Sequence, residues 1–230
     1  MWWILIKMDL YKALALAGGT STAVGGGILV SRSSLFQGTT NPVTTQKKET
    51  FRDKYTAAIL AKEDELWNSK FGTLKGTAEP THPTLKNAKE RSKTNESEAK
   101  DLHKQGCSEI YDSELENSPH FKDFQTYCAK TMKDGIAKGE TWNEQAHTES
   151  TPWNTKLTNL HSHNEDQKGV LSDSLKKVKE QISTGSESSP NWNESKRKAL
   201  KDWCDETKVK VFLGEEEAQF KNAKLYCVGN

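Results

Sequence analysis

Leu171, Leu175, Val178 and Ile182 recur at i, i+4, i+7 and i+11. That spacing puts four apolar side chains on one face of a helix and makes this the clearest amphipathic helix in the chain. Phe51, Tyr55, Ile59 and Leu66 also recur at helical spacing and predict an amphipathic helix of about five turns ending near Gly72. Leu85, Ala88, Ala99 and Leu102 fall on one face, but Ser92 and Asn95 interrupt the stripe and imply shallow packing. Ser118 is the expected N-cap of a further helix, with Pro119 at its first position and Phe121, Phe124, Cys128 and Met132 on its apolar face. Thr151 and Pro152 are expected to start a helix that turns Trp153, Leu157 and Leu160 inward. Residues 184–190 read as a Gly and Ser loop, after which Trp192, Lys196, Leu200 and Trp203 share a face. A last helix is expected from about Glu215 to Cys227, and only residues 208–213 look strand-like. The predicted class is all-α.

These elements fall into a module that occurs twice. Trp67, Asn68, Ser69, Lys70 and Phe71 open one copy, and Trp153, Asn154, Thr155, Lys156 and Leu157 open the other. The copies also end alike, since Phe121, Lys122, Tyr127 and Cys128 are echoed by Phe220, Lys221, Tyr226 and Cys227. An internal repeat of this kind decides the architecture before any motif does. It divides the chain into a first helical unit at 51–135 and a second at 151–230. Residues 37–50 and 136–150 are read as linkers, and residues 1–36 as an N-terminal signal-anchor or transmembrane segment.

Four cysteines allow three pairings. Duplicated units should each keep their own bridge, which selects Cys107 with Cys128 and Cys204 with Cys227. The second pair is awkward for a simple helical hairpin, because Cys204 lies within one predicted helix and Cys227 near the end of the next. Buried reduced cysteines are the competing account, and a zinc site is a weaker one, because no ligands cluster in the Cys-x2-Cys manner.

Residues 13–31 contain no charged side chain, with Lys7 and Lys12 before them and Arg32 after. Nineteen residues just meet the roughly 20 needed to cross a hydrocarbon core. Gly18, Gly19, Gly25, Gly26 and Gly27 are costly in a soluble helix but suit a membrane packing face. The segment is therefore expected to be an uncleaved anchor, against a cleaved signal peptide or a soluble element. A phosphate loop is excluded because no Gly-Lys-Ser/Thr follows the glycines. A lipidated N-terminal cysteine is excluded because none precedes Cys107. Met8 offers a second, more conventional start than Met1.

Lys12, Ala13 and Leu14, followed by Gly18, Gly19 and the Ala23 to Gly27 run, resemble the N-terminus shared by paralogous families of membrane and surface proteins in haemotropic mycoplasmas. The sparse Trp and Cys pattern further on is similar to theirs as well. The resemblance implies a membrane-attached, surface-facing protein and carries no catalytic residue over to this chain.

Charge and composition narrow the function classes. Lys and Arg number 33 against 32 Asp and Glu, a net charge of +1, so no basic field recommends a nucleic-acid partner. Beyond residue 32 the aliphatic content is low enough to raise disorder as a reading. Near-zero net charge and the large rings of Trp67, Trp142, Trp153, Trp192 and Trp203 argue instead for small, thin-cored units held by covalent links. His161 and His163 would point to different faces of a helix, which makes them poor metal partners. Glu215, Glu216 and Glu217 complement a helix dipole without any catalytic role. Asn95 and Asn193 head Asn-x-Ser sequons of little weight, and no Ser, His and Asp set is identifiable.

No catalytic, cofactor or metal residue is therefore expected, and the cysteines are the only site residues named. The leading expectation is a non-enzymatic interaction or antigenic protein, held in the membrane through residues 13–31 with residues 37–230 outside the cell. Its partner would be a host surface protein. The alternative is a solute- or host-factor-binding protein with a pocket between the two units, and a secreted hydrolase comes last. Oligomerisation through the glycine-rich anchor is compatible with either.

Overall fold

The repeat is visible in the backbone. A computed structural model describes residues 48–184 and 192–229. In the first copy, α2 (Leu66–Leu74), α3 (Pro83–Arg91) and α4 (Glu96–Asp112) are followed by α5 (Phe121–Asp123), which widens into a π-helical turn over Phe124–Cys128. In the second, α6 (Ser150–His161), α8 (Asp173–Ser183), α9 (Glu194–Lys208) and α10 (Ala218–Cys227) take the corresponding places. Short helices α1 (Phe51–Lys54) and α7 (Glu165–Lys168), a 3-10 turn over Thr56–Ala58 and a two-residue antiparallel ribbon, β1 (Thr141–Trp142) with β2 (Val228–Gly229), complete the described elements.

The two cysteine-bearing helices begin the same way. Asn95 caps α4 by accepting a hydrogen bond from the Glu98 backbone N–H at 3.2 Å, and Asn193 caps α9 by accepting from Lys196 at 3.0 Å. Asparagine is a strong N-cap because its side-chain oxygen satisfies an orphan donor of the first turn. Both sequons thus spell a cap. Replacing Asn95 or Asn193 by alanine should lower the unfolding free energy by about 1 kcal/mol, measurable by urea titration.

The buried stripes match too. Ala99, His103, Gly106, Cys107 and Ile110 face inward from α4, and Lys196, Leu200, Trp203, Cys204 and Thr207 do so from α9 with identical spacing. Gly106 lets α3 approach closely, since a Cβ there would lie 2.9 Å from Leu85 Cδ2. Each copy closes over its own core. The first is built on Phe51, Trp67, Phe71, Leu85, Ile110 and Phe124, the second on Trp153, Leu157, Leu160, Leu175, Leu200 and Tyr226.

Several boundaries differ from the sequence expectation. The five-turn helix over 51–72 does not form. Thr50 and Asp53 make a capping box that starts α1, but the α-helix ends at Tyr55, a single 3-10 turn covers Thr56–Ala58, and α-helix resumes only at Leu66. Between them Ile59 bridges Ala129, and Lys130 donates its backbone N–H to the Ala58 carbonyl at 2.9 Å. A tertiary pairing therefore overrides a helical period. The helix expected from Ser118 begins at Phe121, and Ser118 Oγ instead accepts from the His120 N–H at 3.2 Å. Phe121 is 40% exposed, and because the helix stops at Cys128 Met132 joins a different cluster. Helix α6 starts one residue before Thr151, α8 starts after Leu171, and α10 starts at Ala218 with Glu217 as its cap. Trp153, Leu157 and Leu160 are buried as expected, as are Trp192, Leu200 and Trp203.

The described residues belong to one compact body, and the copies meet in a small third core of Met132, Phe212 and Phe220. The strand-like stretch near 211 supplies the joint. Val211 bridges Thr131, Met132 donates to the Lys210 carbonyl at 2.8 Å, and Phe212 donates to the Lys130 carbonyl at 2.9 Å. Phe212 meets Phe220 edge to face at 4.8 Å between centroids. Residues 136–150, expected to be a linker, carry β1 and the buried Trp142, and so are strapped to the second copy. Gly135 lies against this joint, where an added Cβ would sit 2.7 Å from the Phe212 ring. Gly135→Ala should therefore cost about 2 kcal/mol by overpacking, with denaturant unfolding as the check.

No helix among the described residues is long and apolar enough to cross a membrane. The expected anchor at 13–31 lies outside the described residues.

Candidate functional site

All four cysteines pair as expected. Cys107 bonds Cys128 with Cα atoms 5.3 Å apart, and Cys204 bonds Cys227 with Cα atoms 5.5 Å apart. Both bridges are fully buried. The awkward second pair is accommodated because α10 packs on α9, with Gln219 donating to Thr207 Oγ1 at 3.2 Å and Cys227 bonded to Cys204. A buried tyrosine precedes the second cysteine in each copy, and a histidine contacts it. His103 Nε2–H donates to the Tyr127 carbonyl at 2.9 Å. His163 Nε2–H donates to the Gly169 carbonyl at 2.8 Å, which leaves Nδ1 to accept from the Tyr226 hydroxyl.

The other polar groups singled out by sequence are accounted for locally. His163 is buried while His161 lies on the surface against Trp192, so the two do not converge. Among the described residues no group of His, Cys, Asp and Glu is arranged to hold a metal. Glu217 accepts from the Phe220 N–H at 2.7 Å as a cap, and Glu216 pairs with Lys221 at 2.6 Å. Asp123, only 2% exposed, ties the loop before α3 to α5 by accepting from Thr81 N, Thr81 Oγ1 and His82 N at 2.7 to 2.8 Å. His82 packs edge-on against His120 at 4.7 Å, and burial together with that neighbour lowers its pKa.

The lysine of the repeated opening motif has two different environments. In the first copy Lys70, 6% exposed, donates to Asp134 Oδ2 at 2.7 Å. The same oxygen accepts from Thr131 N at 2.9 Å and Thr131 Oγ1 at 2.8 Å. Burial alone would raise the Asp134 pKa, but the bonds from Lys70 and Thr131 outweigh it and hold the carboxyl below its ordinary value. In the second copy Lys156 meets no carboxylate among the described residues. It donates to the carbonyls of Leu225 at 3.1 Å and Val228 at 2.7 Å, at the negative end of the α10 dipole. With burial acting on it and no acid opposing, its pKa is lowered.

A cleft of about 670 Å³ opens beside Lys156, walled by Trp142, Asn143, Gln145, Pro152 and Thr155. Its one acidic wall residue, Glu144, is already bonded to Lys133 at 2.6 Å and to Lys208 at 3.0 Å. Trp142 is 4% exposed, and its ring N–H has no acceptor. Sequence reasoning singled out neither Trp142 nor Lys156 as a site residue. The available signals were an aromatic residue inside a polar stretch and the alignment of Lys156 with Lys70.

No protein-family model, no curated protein and no solved structure matches the chain.

Proposed function

We propose that this chain is a displayed interaction module of a host-associated bacterium, held to the membrane by its N-terminal segment, with both helical repeats outside the cell. The observation that supports this most is the pair of buried disulfides, one within each repeat. Disulfides persist in oxidising compartments and brace small domains whose cores are thin. The charge-free stretch at 13–31 supplies the attachment in this reading. A binding role is favoured over catalysis because the most perturbed groups are engaged structurally. His103 and Tyr111 donate to backbone carbonyls, and Asp134 holds Lys70. The described clefts also favour surface recognition over a solute pocket between the copies, since those around Trp67 and His103 and between α8 and α9 each lie within a single repeat, and the one around Lys156 lies between the second repeat and the 136–150 segment strapped to it.

Protease shaving of intact cells, with mass spectrometry of the released peptides, tests the location. Peptides from residues 51–230 should be recovered while cytosolic control proteins remain uncut. Recovery of none would overturn the surface assignment.

A further inference from the structure

We propose that the cleft beside Lys156 is a carboxylate-binding site, in which a ligand carboxylate meets Lys156 as Asp134 meets Lys70 in the first repeat. The argument begins from the duplication. The same lysine, at the same place in the same opening motif, is given an acidic partner in one copy and none among the described residues in the other. In the first copy the carboxylate is held by the ammonium group and two neutral donors, at 2.7, 2.9 and 2.8 Å. In the second copy Lys156 uses two of its three donors on the Leu225 and Val228 carbonyls, leaving one N–H.

Trp142 provides the second, independent observation. Trp142 is one of the residues lining the same cleft, and it carries a buried ring N–H without an acceptor. Buried donors are nearly always satisfied, and an exception calls for a partner. The charge balance has the right sign, because Glu144 is neutralised by Lys133 and Lys208 and leaves Lys156 as the uncompensated charge of the wall. The cleft volume of about 670 Å³ falls within the range of small-ligand sites, roughly 300 to 1,000 Å³. Trp142 and Pro152 add apolar surface for whatever carries the carboxylate. The inference concerns one cleft and does not depend on where the chain resides.

Two sources of carboxylate fit, a small organic acid and the free C-terminus of a peptide. They can be separated with full-length protein labelled with ¹⁵N, following the Trp142 indole N–H resonance assigned through Trp142→Phe. The probes are succinate, N-acetyl-Ala-Ala, and the same dipeptide as its C-terminal amide. A saturable shift is expected with at least one acid, and the amide should bind about ten-fold more weakly or worse, as loss of a charge-assisted hydrogen bond implies. Preference for the dipeptide acid assigns the site to chain termini, and preference for succinate to small acids. Lys156→Met, which keeps the aliphatic stem, should abolish the shift. The comparison of acid with amide on the unaltered protein decides the matter even if that variant fails to fold. No saturable shift with either acid, equal binding of acid and amide, or undiminished binding in a folded Lys156→Met protein would overturn the proposal.

Discussion

Replacing Cys107 and Cys128 together by alanine should lower the free energy of unfolding by about 3 kcal/mol, and replacing Cys204 and Cys227 should do the same. The chain-entropy model gives this magnitude for loops closed over sequence separations of 21 and 23 residues. The two loops neither nest nor overlap, so their constraints on the unfolded chain add. Loss of both bridges should then cost about 6 kcal/mol, comparable to the whole stability of an ordinary domain, roughly 5 to 15 kcal/mol. Urea unfolding followed by tryptophan fluorescence should show the two paired variants still folded and the quadruple variant unfolded or nearly so at 25 °C. Peptide mapping of the native chain without reduction should recover the two links within copies and none between them. A quadruple variant as stable as the native chain would mean that the thin cores suffice on their own.

The bridges were legible in the sequence because duplication writes the same residues twice, and a pairing confined to one copy needs no knowledge of how the copies dock. The helix at 173–183 was legible for a different reason, since its apolar stripe packs along its whole length and nothing competes with the period. Residues 51–72 were misread because Ala58 and Ile59 are drawn into pairing with Ala129 and Lys130, some seventy residues away, and no local pattern records that. The same pairing ends the helix at Cys128 and sends Met132 to the joint between the copies. Trp142 was hidden in a polar stretch whose role is to return along β2, and Lys156 looks like any solvated lysine until it is compared with Lys70. Duplication therefore exposed the scaffold, whereas the cleft lies where the two copies have diverged.

His103 should make the fold lose stability on mild acidification. Its ring is 1% exposed and packs between Trp67, edge to face at 5.3 Å, and Phe71 at 5.9 Å. Burial disfavours the charged form, and although the bond to the Tyr127 carbonyl acts the other way, the pKa is lowered from 6.5 to about 4. The folded pKa thus lies below the unfolded one, so the unfolded chain binds a proton that the folded chain refuses. Stability is complete above about pH 6.5 and declines as the pH falls toward 4, by about 3 kcal/mol in all. His82, whose pKa is also lowered, contributes in the same direction. Carboxylates such as Asp134 and Glu144, with pKa values below the ordinary range, lose their contribution mainly below about pH 5, as the pH approaches and passes their ordinary values of 3.8 and 4.5. The window from pH 6.5 to 5 therefore belongs to the histidines. Urea titrations across it should show the native chain losing about 2 kcal/mol through His103, whereas His103→Gln, although less stable throughout, should keep only the shallower slope that His82 supplies. In parallel, the His103 ring resonances should titrate near pH 4 in the folded protein. A titration midpoint near 6.5 would show that the ring accepts its proton without cost, and the acid sensitivity would then have to arise elsewhere.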